Sequence, residues 1–279
     1  MTPMICTACG TQFPATPKPP ERCPICHDSR QFIPPSGQGW TTLEALKVSH
    51  ANSWRQLRAG LYEIHTQPAF GIGQRALLMQ TEHGNFLWDC VALLDDATVS
   101  IVKALGGLDA IAISHPHYYT TMIEWARAFD CPVYLHEADE VWVMRKGDSL
   151  RYWNGDRLVL DDATTLLRVG GHFPGGTILF CEADDGVLLT GDVLQVTPDR
   201  SHVSFMYSYP NYLPLDAKRV KAIGAVIEKL VFGRVYGSFL HAQIESDAKA
   251  AVMRSVERYV ALLEGRYEEH APDDPGFTN

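Results

Sequence analysis

What the chain lacks narrows its class before any motif is read. No apolar run approaches the roughly 18 residues that a membrane-spanning helix needs. The first residues, Met1 to Cys6, contain no basic segment followed by an apolar stretch of the kind that directs secretion. A cytoplasmic protein with no membrane partner is therefore expected. Positive charge is scarce, since 24 Lys and Arg against 33 Asp and Glu leave a net charge of −9. That argues against a nucleic-acid backbone as a partner, which needs a basic face. There is no low-complexity tract, no repeat at solenoid period, and no G-x-S-x-G of a serine hydrolase.

The seven cysteines, an odd number, are not spread like a disulfide framework. Cys90, Cys131 and Cys181 sit in or beside apolar runs and read as small buried hydrophobes. The other four form two knuckles, Cys6-Thr-Ala-Cys9 and Cys23-Pro-Ile-Cys26, joined by a Pro-rich loop. Each pair can set two thiolates along one edge of a tetrahedron. A segment so short and so poor in large apolar residues needs a metal to fold. A redox dithiol would call for one such pair at a helix start rather than two in a loop. Residues 1–35 are therefore expected to be a zinc-ribbon or rubredoxin-like module, binding zinc or alternatively iron, with a structural or partner-docking role. Pro34 to Gly39 reads as a linker, and residues 36–279 as the main domain.

In that domain Thr41-Thr-Leu-Glu44 fits a capping box opening a short helix. Strands are expected at Tyr62–Thr66, Ala76–Gln80 and Phe86–Cys90. A helix over Thr98–Leu105 should end at Gly106-Gly107. A strand from Asp109 to Ser114, a helix over Thr121–Phe129, a strand at Pro132–Leu135 and a helix over Ala138–Met144 follow. Three further strands, Thr165–Val169, Thr177–Phe180 and Val187–Thr190, come next. Val220, Ile223, Ile227 and Leu230 recur at helical spacing, Arg234–Tyr236 is a strand, and Val252 to Leu263 marks a last amphipathic helix. This order suits an α/β protein of two packed sheets with helices outside.

The apolar strand before Ser114 runs into His115-Pro-His117. Two imidazoles one residue apart at the end of a buried strand more often converge on a metal than stand alone. Gly170-Gly-His172-Phe-Pro-Gly-Gly176 places another histidine in a loop of four glycines, without the Lys a phosphate-binding loop would want. Thr190-Gly-Asp192 ends a further strand in a carboxylate. Three imidazoles and one carboxylate suit a hydrolytic metal, zinc by default with iron or manganese also possible, and a water completing the shell.

In this combination the sequence resembles the metallo-β-lactamase superfamily in a glyoxalase II-like arrangement, over residues 60 to 265. The resemblance implies an αββα sandwich, with Asp89 supporting the metal loop from behind and the active site at one edge between the sheets. Members are mostly hydrolases of thioesters, lactams, lactones, phosphodiesters or sulfate esters, and a few are oxidoreductases. The family's fuller motif is His-x-His-x-Asp-His, but Tyr119 and Thr120 stand in its last two places. Its late Gly-His is replaced by Gly237-Ser238, with His241 three residues on. The implied enzyme is a mononuclear hydrolase of an ester, thioester, lactone or related small molecule. Asp192 would orient the water, and Tyr119 or, more weakly, His241 would serve as proton donor. A catalytically reduced binding or scaffold protein, and an iron-dependent oxidoreductase needing two irons, are the alternatives. The aromatic stretch Val203–Tyr212 is expected to wall the substrate pocket, or else to pack on the ribbon or on a second subunit. Trp125, Trp142 and Trp153 are expected in the core or at its rim.

Overall fold

Too few apolar residues lie near the N-terminus to make a core of their own, and the chain there folds around its cysteines instead. In the computed structural model, which describes residues 1–267, β1 (Pro3–Cys6) pairs antiparallel with β2 (Gln12–Ala15) and with β3 (Trp40–Thr41). One helical turn, α1 (Pro24–His27), follows Cys23. The third strand lies past the expected linker, so sheet pairing joins the ribbon to the chain that follows. Residues 268–279 of the expected 36–279 span lie outside those described. Helix α2 (Leu43–Ser49) is capped by Thr42, which accepts from Ala45 N–H, rather than by Thr41 as the sequence suggested. Thr41 is taken up in β3 opposite Ile5, so the cap falls to its neighbour.

A seven-stranded sheet comes next, made of β4 (Ala51–Arg58), β5 (Leu61–Gln67), β6 (Arg75–Gln80), β7 (Asn85–Trp88), β8 (Ala110–Ala112), β9 (Val133–His136) and β10 (Leu150–Trp153). Neighbours are antiparallel from β4 to β7 and parallel from β7 to β10. The parallel crossovers carry α3 (Asp96–Ala104) and α4 (Met122–Phe129). The second sheet runs β11 (Arg157–Val159), β12 (Thr164–Arg168), β13 (Thr177–Cys181), β14 (Val187–Leu189). After Asp192 come two small hairpins, β15 (Gln195–Val196) with β16 (Val203–Ser204) and β17 (Met206–Ser208) with β18 (Leu213–Pro214). Helix α5 (Ala217–Ile227) then returns the chain to β19 (Arg234–Tyr236) beside β14. Strand β20 (Gln243–Ile244) closes that sheet and α6 (Ala248–Leu263) covers it.

The period-two alternation of strand side chains sorts residues into layers. Leu77, Met79, Phe86 and Trp88 meet Leu179, Leu189 and Tyr236 between the sheets. Their neighbours Leu78 and Leu87 face α3 and α4 with Trp125. Ile178 and Leu188 face α5 and α6. The result is an αββα sandwich, with Trp125 and Trp153 buried and Trp142 partly so. Cys90, Cys131 and Cys181 are buried, as their apolar surroundings suggested.

Three local expectations needed correction. The strand expected through Cys90 stops at Trp88, because Asp89 takes φ of 60°. The helix expected over Ala138–Met144 is a 3-10 turn, Glu137–Trp142. Leu230 lies beyond the end of α5.

One buried ion pair ties the sheets together at the edge where the ligand loops emerge. Arg75 on β6 is 1% exposed and its Nη1 donates to Glu63 Oε2 at 2.6 Å. Its Nε and Nη2 donate to the carbonyls of Gly237 and Ala242 at 3.0 and 3.1 Å. Replacing Arg75 by Leu removes the donor to Glu63 Oε2 and to Gly237 O, leaving Glu63 only Arg55 at 2.7 Å and Ala242 O only the Gly237 N–H. It is expected to lower unfolding stability by about 3–5 kcal/mol, read by urea denaturation, with Arg75→Lys recovering part of the loss.

Candidate metal centre

Three loops end at one point between the sheets. His115 ends the segment after β8, and Pro116–Tyr118 forms a 3-10 turn that brings His117 back beside it. His172 arrives from the loop between β12 and β13. That loop closes on itself, with Val169 and Gly170 both donating to Gly176 O at 2.9 Å. A Cβ on Gly176 would lie 2.3 Å from Gly170 O, so only glycine fits. Thr177 N–H donates to Ser114 O at 3.0 Å and pins the His172 loop to the His115 loop. Asp192 follows Gly191, whose φ is 54° and whose Cβ would lie 2.3 Å from Ser114 Oγ.

The ligand atoms of His115, His117, His172 and Asp192 all lie within 4.8 Å of one another. None of the four residues is more than 4% exposed, so water does not satisfy them. His172 Nε2 is 3.4 Å from His117 Nδ1, and His115 Nε2 is 3.6 Å from Asp192 Oδ2. A tetrahedron with the bonds of roughly 2.0–2.1 Å typical of imidazole and carboxylate on zinc has edges of roughly 3.3–3.4 Å. His115 Nε2 and His117 Nε2 are buried without a hydrogen-bond partner.

The other side of three of the four ligands, His115, His172 and Asp192, is held. Asp89 Oδ1 accepts from Ser114 N–H at 2.7 Å and from Ser114 Oγ–H at 2.8 Å. Ser114 Oγ in turn lies 2.9 Å from His115 Nδ1. With its one hydrogen given to Asp89, Ser114 can only accept from His115, which leaves the His115 Nε2 lone pair for a metal. His172 Nδ1 donates to Met206 O at 3.2 Å and so is fixed the same way. Tyr118 donates its hydroxyl to Asp192 Oδ1 at 2.6 Å, and Tyr209 donates to Asp192 O at 3.2 Å. Burial holds His115 and His117 well below the usual imidazole range and His172 at about 4. It pushes Asp192 up to about 7 against the pull of Tyr118, and Asp89 up to about 8 against Ser114. Neutral imidazoles oriented this way are the protonation state that a metal requires.

The second group of ligands is the ribbon's. Cys6, Cys9, Cys23 and Cys26 are buried together, with Sγ separations of 3.5 Å for Cys6–Cys26 and 3.7 Å for Cys9–Cys23. A thiolate tetrahedron with bonds of roughly 2.3 Å has edges of roughly 3.8 Å.

The structure does not bring Tyr119 or His241 to the centre. Tyr119 is buried in the core beneath α4, on the other side of the turn, and His241 is exposed at positive φ between β19 and β20. The tyrosine at the site is Tyr118. A 3-10 turn stacks residues three apart, so the ring that meets His115, at 4.5 Å between centroids, is that of Tyr118. The proline-led turn was the signal available in the sequence. Thr120 lies against the ribbon, its carbonyl accepting from Gln12 N–H at 3.1 Å. Ser238 Oγ donates to Asp89 Oδ2 at 3.4 Å.

Beside the centre is a cavity of about 300 Å³ reached by His117 and Asp192. Arg30, Gln31 and Phe32 of the ribbon wall one side, and Tyr209 and Phe239 the other. The ribbon is therefore part of the site, a role the sequence did not suggest. Arg30 clamps Asp28 through Nε and Nη2 at 2.6 and 2.8 Å and donates from Nη1 to His172 O at 3.1 Å. The stretch Val203–Tyr212 touches both the cavity and the ribbon. Tyr209 lines the cavity, and Ser208 and Asn211 donate to Ser29 O of the ribbon. A larger depression of about 550 Å³, around Arg157, Glu182 and Lys229, touches none of the ligand residues.

No family model matches the sequence. The protein YmaE of Bacillus subtilis (strain 168), described as uncharacterized, is 45% identical over 264 residues, covering 93% of this chain and 96% of that protein. Among solved structures, the metallo-β-lactamase DIM-1 superposes with a TM-score of 0.56 at 13% identity, over 77% of this chain and 98% of that one. The metallo-β-lactamase FIM-1 from Pseudomonas aeruginosa, solved in a mono-zinc form, gives 0.54 at 11% identity, over 77% and 95%. The chain has the metallo-β-lactamase fold and belongs to the family of YmaE. Within that fold the donor set and spacing of the His115, His117, His172 and Asp192 cluster fit a metal site. No helix among the described residues is long and apolar enough to cross a membrane.

Metal uptake should depend on pH in a characteristic way. Between about pH 7 and pH 5 the metal-free site holds one extra proton, on Asp192, while the histidines stay neutral. Binding releases that proton, so the logarithm of the apparent affinity is expected to fall by about one per pH unit as pH drops. Competition with a chromophoric chelator across that range checks this, and a slope near three would contradict it.

Proposed function

We propose that the protein is a mononuclear metal-dependent hydrolase acting through a metal-activated water on an ester, thioester, lactone or related small molecule. The observation that carries this reading is the set of four buried donors spaced for a single ion, three of them oriented from behind. A metal bound there lowers the pKa of a coordinated water toward about 7. His115, His117, His172 and Asp192 are the residues that would hold it. Zinc fits this donor set, with iron or manganese as alternatives, and the ribbon cysteines suit zinc or iron.

The chain's own residues then have distinct tasks. Tyr118 fixes the Asp192 carboxylate through Oδ1, leaving Oδ2 as the donor to a metal, from which it would also orient the attacking water. The Asp89–Ser114–His115 chain fixes one imidazole tautomer. Tyr209 and the ribbon segment around Arg30 narrow the approach and exclude water. Tyr119, Thr120 and Ser238 stand where the resemblance would have a second set of ligands, and each is occupied elsewhere: in the core, against the ribbon, and on Asp89. That favours one ion in the site over two, and counts against a two-iron oxidoreductase. The mono-zinc form of FIM-1 shows that this fold accommodates a single ion in that protein.

Elemental analysis of purified protein is expected to give about two metals per chain, one in each group of ligands. About three would restore a dinuclear site, and one would favour the scaffold alternative. His115→Ala should remove one metal, keep the ribbon's, and abolish hydrolysis across an ester, thioester and lactone panel. Full activity in that variant would overturn the scheme. Tyr118→Phe is expected to reduce turnover by roughly 10–100-fold while the metal content stays near two.

A further inference from the structure

The cavity of about 300 Å³ beside the metal donors is walled by apolar side chains from four separate segments. Phe32 comes from the ribbon, Ile72 from the turn between β5 and β6, Tyr209 and Pro210 from the turn of the β17–β18 hairpin, and Phe239 from the loop after β19. All five keep surface open to solvent instead of being sealed into a core, and Phe32 is 48% exposed. Tyr209 gives its one hydroxyl hydrogen to Asp192 O, so it brings no free donor. A single exposed apolar side chain is ordinary on a protein surface. Five converging on one concave site have the composition of a small-molecule pocket. Apolar surface left in water there gains free energy in proportion to the area a ligand covers.

The charged residues at the cavity do not oppose that reading. Arg30 is held bidentate by Asp28 and tied to His172 O, so its charge is already compensated. Asp192 belongs to the metal donors and accepts from Tyr118. The remaining polar members, Gln31 and Gln195, are neutral. A carboxylate, phosphate or ammonium group laid against this wall would lose its water without gaining a counter-charge. The volume lies at the small end of the roughly 300–1,000 Å³ typical of ligand pockets, which limits the size of what fits.

We propose that this wall receives an uncharged alkyl or aryl group next to the scissile bond, so that the substrates are small, neutral esters, thioesters or lactones with a hydrophobic substituent, and that Phe32 of the ribbon is a specificity-determining residue for them. The inference rests on the hydrolase reading of the same centre, and a binding measurement tests it apart from turnover. The ribbon then takes part in choosing the substrate, because its half-exposed phenylalanine supplies one face of the wall.

Full-length, metal-loaded protein is assayed on two series of esters. One is p-nitrophenyl acetate, butyrate and hexanoate, and the other is ethyl, butyl and hexyl acetate. In at least one series kcat/KM is expected to rise by about fourfold for each methylene taken up. Esters of that series whose chain ends in a carboxylate or an ammonium group should fall at least about tenfold below the uncharged ester of the same length. Phe32→Ser is expected to flatten the rise and Phe32→Leu to keep it, with metal content near two per chain in both. No rise in either series, an equal rise in Phe32→Ser, or preference for a charged chain overturns the proposal. Calorimetry with acetohydroxamate and hexanohydroxamate, whose head groups chelate metal ions, reads the wall without turnover. If no ester is cleaved although the site metal is present, the hydrolase reading fails and these two compounds decide the subsite. Tighter binding of the longer one that Phe32→Ser abolishes supports it, and equal or absent binding overturns it.

Discussion

Everything at the centre depends on holding four donor atoms a few ångströms apart although they come from three separate loops. Neutral imidazoles and a carboxylate gain nothing from such crowding without an ion, and burial deprives them of water. The scaffold compensates from behind. Asp89, Ser114, Met206 O and Tyr118 each fix one degree of freedom of a ligand, and the Thr177 to Ser114 bond locks two of the loops together. Gly191 and Gly176 are required because any side chain there would meet Ser114 or the Gly170 carbonyl.

The ribbon reaches the same centre twice. Its first knuckle leads to Gln12, which holds Thr120 just after His117, and its second leads to Arg30, which holds the carbonyl of His172. Arg30 also lies 3.7 Å from the centre of the Phe173 ring, next to that ligand. One four-cysteine group thus steadies loops belonging to both sheets, and the two metal groups are mechanically linked rather than merely neighbours in one chain. Thr120 lies where that linkage requires a small residue, its methyl group close to Gly10.

Much of this was legible in the sequence, for identifiable reasons. The buried strands showed themselves because both faces of a central strand are apolar, as in Leu77–Leu78 and Leu87–Trp88. The metal ligands showed because histidines at strand ends and cysteines in knuckles are residue types with few other uses. Strand β4 (Ala51–Arg58) did not show, because it is an edge strand with a half-exposed, polar pattern. The places of Tyr118 and Arg30 were hidden for a different reason. They depend on which way a turn points and on a docking between segments far apart in the chain. Tyr119 seemed better placed from the family's motif, and the geometry of a three-residue turn reversed the choice.

The docking of the ribbon also sets an order of events. Arg30 bonds a residue 142 positions later, and Ser29 bonds one 179 positions later. The four thiols are all present early in synthesis and can take their ion at once. The surface that receives them does not exist until the chain has been made as far as Ser208. The cysteine knuckles must therefore wait for their seat, and the closure that completes the pocket is a long-range event of the kind that folds late.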